Sequence, residues 1–218
     1  MGLSNPTSTG NRNLVSVVGG KWTMRVPEGT DGSVKRTNKN GIEVNELHFS
    51  KADGVMTGMA YKDTSFGRVV EIPLLDEEGV ESVISFTTKD QHLMTLCKML
   101  PNIDLNLPVD LILMLDREKT EEKGKECHVL LVKQNDEWVH HYYKKDTNGL
   151  PKFKKLRDGS WDSSEHDDFL LGILEDAFSG KIEKPTPLFE PPKFHEDDAE
   201  EILEGAGFVE DDEDSTPF

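Results

Sequence analysis

Hydrophobic and polar positions alternate with a period of two over several short stretches of this chain. They switch to helical spacing twice and lose periodicity towards the end. The first alternating stretches are KWTMRV (21–26), EVNELHF (43–49), VMTGMAYKD (55–63), GRVVEIPLL (67–75) and ESVISFT (81–87). Alternation buries one face of an extended strand, so each predicts a β-strand. Residues 27–41 are crowded with turn formers and predict a long basic loop at a hairpin tip. Asp53-Gly54 predicts a tight hairpin turn, and TSFG (64–67) a second one.

From Thr88 the period changes. Leu93, Met94, Leu96, Cys97 and Leu100 fall on one helical face and Pro101 stops the run, which predicts a helix of about three turns. Strands return in VDLILMLDRE (109–118), CHVLLVKQ (127–134) and EWVHHYYKK (137–145), separated by a charged loop (119–126) and an Asn135-Asp136 turn. Asn148-Gly149 and KFKKLR (152–157) follow. SSEHDDFLLGILEDAF (163–178) predicts a second helix, capped by Ser163 or Ser164 with acids in its first turn.

Short strands with turn signals, interrupted by one helix, predict a mainly β fold with one or two helices. The expected form is an OB-fold-like antiparallel β-barrel with extended hairpins, a helix plugging one end, and a disordered acidic C-terminal tail. A β-sandwich fits the same strand spacing. The expected organisation is a flexible arm (1–13), an OB-like domain with a C-terminal helix (14–180), a Pro-rich linker (181–195) and an acidic tail (196–218).

Charge sharpens that division. The 218 residues carry a formal net charge of −17. Residues 1–160 hold 22 Lys and Arg against 23 Asp and Glu, a net of −1, while 161–218 hold 3 against 19. Such an acidic block repels itself and acts as an interaction tail. Two cysteines, Cys97 and Cys127, suit a reducing cytoplasm, and no secretory or membrane-spanning pattern is expected.

Candidate chemistry is sparse. Phosphate-loop, dinucleotide, zinc-protease and nucleophile-elbow patterns are missing from the sequence. His140-His141 would point to opposite faces of a strand and so cannot chelate one ion. No enzyme activity, cofactor or metal is therefore expected.

The stronger signal is basic and aromatic. On the predicted strand 137–145, Trp138, His140, Tyr142 and Lys144 would share one face, which suits base stacking with a cation near the phosphate. Lys152, Phe153, Lys154, Lys155 and Arg157 follow. Lys21, Arg25, Lys35, Arg36 and Lys39 form a second basic group, and Lys62, Phe66 and Arg68 a third. In a nearly neutral body, such clustering makes a basic groove possible. The competing reading is ordinary packing of strand aromatics and lysine protection of sheet edges.

The chain ends in DDEDSTPF. With a β-rich body and a Pro-containing linker, this end resembles single-stranded DNA-binding proteins, whose bacterial members carry an acidic tip finishing in Pro-Phe. Phage-encoded members also end in an acidic tail with a terminal Phe, and the body looks more like that phage type. The resemblance implies non-enzymatic binding of single-stranded DNA with little sequence specificity, in replication, recombination or repair, in the host cytoplasm. It implies that Asp211, Asp212, Glu213, Asp214, Pro217 and Phe218 dock on partner proteins. Ser215-Thr216 stands where the bacterial tip has one aliphatic residue, a departure that bears on partner choice. A tethered polyanion also competes for its own basic groove, so the tail is expected to regulate binding. The alternative is an acidic inhibitor or adaptor that mimics nucleic acid and binds proteins.

Overall fold

The computed structural model describes residues 13–38, 41–65, 67–145 and 147–179. Residues 1–12 of the expected arm (1–13), the linker and the tail, with Lys39, Phe66, Asp211, Asp212, Glu213, Asp214, Pro217 and Phe218, lie outside the described residues, while Asn13 begins the first strand. In chain order the strands are β1 (Asn13–Val18), β2 (Lys21–Val26), β3 (Val34–Thr37), β4 (Glu43–Phe49), β5 (Lys51–Met56), β6 (Ala60–Thr64), β7 (Gly67–Leu75) and β8 (Glu81–Thr87). Helix α1 (Gln91–Met99) and a 3-10 turn lead into β9 (Val109–Asp116), α2 (Arg117–Lys123) and β10 (Cys127–Gln134). Then come β11 (Glu137–Trp138), β12 (Lys154–Lys155), β13 (Trp161–Asp162) and α3 (Ser164–Phe178).

Eleven strands form one mixed sheet, ordered β11-β10-β9-β5-β7-β8-β1-β2-β4-β3, with β6 on β7; β12 and β13 form a separate hairpin. All pairings are antiparallel except β1 with β8. The hydrogen-bonded path does not close among the described residues, so the expected closed barrel is corrected to an open mixed sheet. The sheet nevertheless wraps around an interior. Only Ser50 separates β4 from β5, yet β2, β1, β8 and β7 intervene between them in the sheet. One bent strand therefore joins distant parts of the sheet.

The bend explains a failed turn. Asp53-Gly54 lies inside β5, which pairs with β9 over Lys51–Gly54 and with β7 at Val55 and Met56. Gly54 has φ 145, and a Cβ there would sit 2.7 Å from the Leu75 carbonyl oxygen. Glycine is used here for backbone approach at a partner switch rather than for a hairpin. The predicted strand 55–63 splits for a related reason. β5 and β6 take successive parts of β7, and the register shifts by one residue between them, so the ladder is broken at 57–59.

Side chains cross-paired on a ladder point to the same side. Inward positions of β1, β2, β7 and β8 place Val15, Trp22, Met24, Val70, Ile72, Leu74, Ile84 and Phe86 in the core. Leu93, Leu96 and Cys97 of α1 close it, with Leu111 of β9, Leu130 of β10, and Leu170 and Leu174 of α3. Asp90 caps α1 by accepting from the His92 amide at 2.8 Å. Pro101 sits in the following 3-10 turn, as its missing N–H allows.

Two loop expectations change. The basic loop contains β3, an edge strand on β4. The charged loop contains α2, capped by the Asp116 carboxylate on the Lys119 amide (3.0 Å) and stopped by left-handed Gly124. At α3 the N-cap is Ser163, but its hydroxyl donates to Asp167 Oδ2 (2.8 Å), and Asp162 accepts from the Ser164 amide (2.9 Å). β1 is an unpredicted strand.

Candidate nucleic-acid interface

The predicted strand 137–145 survives only as Glu137–Trp138. Beyond it the chain crosses the end of α1. The amides of Tyr142 and Tyr143 donate to the Lys98 carbonyl at 2.8 and 3.2 Å, satisfying one of the acceptors that a helix C-terminus leaves open. Asn102 Nδ2 donates to the His140 carbonyl at 2.9 Å. Tyr143 is buried, with its ring 4.9 Å from Tyr142 and 5.2 Å from Phe169 of α3, both edge-to-face. Trp138, His140, Tyr142 and Lys144 therefore do not form one strand face. Tyr142 packs against the core, while half-buried Trp138 carries the Lys133 ammonium 4.4 Å from its ring centroid.

The basic group 21–39 is divided by the pleat. Register places Lys21, Arg25 and Arg36 on the outward face and Lys35 on the other. Arg36 is committed: its Nε and Nη2 donate to Glu46 at 2.8 and 2.7 Å. Glu46 is only 1% exposed. Those hydrogen bonds hold its carboxyl below the usual range against the opposing effect of burial. Lys35 pairs with Glu43 at 3.0 Å, and Lys62 with Glu71 at 3.1 Å. Arg68 lies 3.9 Å over the Tyr61 ring. Lys21 and Arg25 remain exposed.

The 152–162 segment behaves differently. Lys154 and Lys155 of β12 pair with Asp162 and Trp161 of β13, and a turn with the Leu156 amide on the Ser160 carbonyl (2.8 Å) joins them. Lys154 binds Glu165, and the Phe153 ring meets His166 edge-to-face at 4.7 Å. Both contacts seat the hairpin on the first turns of α3. Lys152, Phe153, Lys154, Lys155 and Arg157 are all exposed. So is Trp161, at 46%, with the Lys155 ammonium 5.6 Å from its ring centroid. Trp161 is absent from the sequence-derived candidates. Its polar neighbours Ser160 and Asp162, after a Gly159 turn, are the signal that marks it as outward.

This arrangement offers two exposed rings, Phe153 and Trp161, within a cluster of four cations. Lys155 and Arg157 have no carboxylate partner among the described residues. It can bind a polyanion with flat apolar groups. The described residues contain no cluster of three or more His, Cys, Asp or Glu able to hold a metal, and no helix is long and apolar enough to cross a membrane. No protein-family model, curated protein or solved structure matches the chain.

Proposed function

We propose that this protein binds single-stranded DNA without marked sequence preference and without catalysing a reaction, in replication, recombination or repair. The observation that carries this reading is the β12–β13 hairpin, with Phe153 and Trp161 exposed among Lys152, Lys154, Lys155 and Arg157. Unpaired bases offer faces for stacking and a regular string of phosphates, and this surface complements both. The five paired strands β5, β7, β8, β9 and β10, with β6 branching from β7, are compatible with an elaborated OB-type domain that is left open. The acidic segment 196–218 is proposed to regulate binding and recruit partners through Phe218.

The test is a titration of the full chain into end-labelled oligo-dT, followed by anisotropy over a range of salt. Saturable binding is expected, with log affinity falling against log salt at a slope of at least about −1.4, roughly 0.7 for each of Lys155 and Arg157, since Lys154 is paired with Glu165. No binding at low salt to single strands of any composition rejects the reading. The neutralisation of Lys35, Arg36 and Lys62 by Glu43, Glu46 and Glu71 favours the second reading, an acidic nucleic-acid mimic that binds proteins. Under that reading the same titration stays flat.

A further inference from the structure

The seam where α3 and segment 139–145 rest on α1 holds more basic groups than acids. Lys98 contributes from the last turn of α1, His140, His141 and Lys144 from the crossing segment, and buried His166 from α3. Among the described residues, the carboxylate set against Lys98 and His166 is Asp167, 3.2 Å from His166 Nδ1 and already accepting from the Ser163 hydroxyl. Of the other acids of α3, Glu165 pairs with Lys154, Glu175 with the Tyr61 hydroxyl, Asp176 lies in the field of Tyr143, and Asp168 is exposed.

The same seam fastens much of the described chain after β11, although the Val139 amide is bonded to the Val132 carbonyl of β10. It comprises the Tyr142 and Tyr143 amides on the Lys98 carbonyl, the Tyr143–Phe169 ring contact, and Leu170 and Leu174 in the core. His166 also touches Phe153 at the root of the basic hairpin. We propose that this seam is an acid-operated latch: protons taken up by His141 and His166 add charge against Lys98 and release 139–178, hairpin included, from α1 while the sheet stays folded.

The direction follows from linkage. Burial, then Lys98, Lys144 and His140, push the His141 imidazole from 6.5 down to about 4. Burial lowers His166 as well, with Lys98 in the same sense and Asp167 opposing, and burial lowers His140. A base depressed in the closed state binds its proton first in the open state. The closing free energy is therefore intact above pH 6.5 and is lost as pH falls towards 4. His141 alone favours opening by about 20-fold at pH 5 relative to pH 7.

The latch does not depend on what the hairpin binds, and its test uses no nucleic acid. Hydrogen exchange of the full chain, corrected for intrinsic rate, is followed by mass spectrometry from pH 7.5 to 5.0. Protection across 139–178 is expected to fall by on the order of tenfold relative to β7–β10. Equal changes in both regions overturn the proposal. Lys98→Met keeps the packed stem and removes the fixed charge, so it is expected to shrink the pH 5 effect. His141→Gln is expected to remove its own share. If His141→Gln does not fold, Lys98→Met decides alone, and an unchanged pH response in that variant overturns the latch.

Discussion

The indole Nε1 of Trp22 on β2 donates to the carbonyl of Leu111 on β9 at 2.8 Å, 89 positions along the chain. This bond crosses the interior between strands separated in the sheet by β1, β8, β7 and β5. It ties the wrapped sheet together where no ladder can. Trp22→Phe removes the donor and part of a fully buried ring. We expect a loss of about 2–4 kcal/mol from the combined cavity and hydrogen-bond costs, measured by urea unfolding. A loss below about 1 kcal/mol would mean that the bond is incidental to wrapping.

Arg36 is expected to be a structural cation and not a phosphate contact. Its guanidinium covers Glu46, which also lies 3.6 Å from His48 Nε2. Arg36→Ala leaves the buried Glu46 carboxylate with His48 as its remaining partner. Urea unfolding should show a clear destabilisation, because the buried carboxylate loses two charge-assisted hydrogen bonds. Adding Glu46→Gln should recover a large part of that loss. Oligo-dT affinity of the folded Arg36→Ala protein should stay within about twofold at the salt where the parent binds. A tenfold weakening would return Arg36 to the interface.

Much of this architecture is legible in local pattern, and the failures share a cause. β7, β8 and β10 match their predicted bounds because alternation and flanking turns agree there. α2 also had its local signals, the Asp116 cap and the Gly124 stop, but its charge-rich composition suggested a loop. The run 137–145 has strong strand propensity, yet the open Lys98 carbonyl offered its amides another partner, and tertiary context won. Gly54 reads locally as a turn, and only β9 and β7 together reveal it as a partner switch. The candidate site divides the same way. Cation clusters are visible as composition, but their neutralisation depends on which acid lies across the ladder. Thus Lys35, Arg36 and Lys62 looked equivalent to Lys155 and Arg157 and are not.

Gly20 closes the β1–β2 hairpin at φ 68, and a Cβ there would lie 2.1 Å from the His128 ring. Two penalties are therefore separable. Gly20→Ala should cost about 1–2 kcal/mol for the left-handed backbone, plus the displacement of His128. In a His128→Ala background only the backbone share should remain, so a double-mutant cycle should show coupling of at least about 0.5 kcal/mol. Strict additivity in thermal or urea unfolding would mean that the turn does not bear on β10.

Cys97 should report opening of the core. It is fully buried on α1, and burial pushes its thiol up to about 12, so almost no thiolate exists near neutral pH. With excess iodoacetamide at pH 8, Cys127 should alkylate first, since it is only half-buried. Cys97 should follow at a rate that tracks added urea. Prompt modification of both thiols without denaturant would contradict the packing of α1 against the sheet.

Trp161 is the residue on which the proposed interface turns. Of the three tryptophans, Trp22 is enclosed, Trp138 is half-buried beneath Lys133, and Trp161 is open on the hairpin. Quenching by oligo-dT should therefore come chiefly from Trp161. Trp161→Ala should abolish most of it while leaving the urea midpoint nearly unchanged, because little packing is lost. Affinity should drop by about 1–3 kcal/mol, the usual range for one stacked base. The salt slope should be retained, because the cations remain. Lys155→Ala with Arg157→Ala should do the converse, reducing the slope by about 1.4 with the Trp161 quench preserved at saturation. If Trp161→Ala binds like the parent and still quenches, the aromatic platform lies elsewhere and the hairpin contributes charge alone.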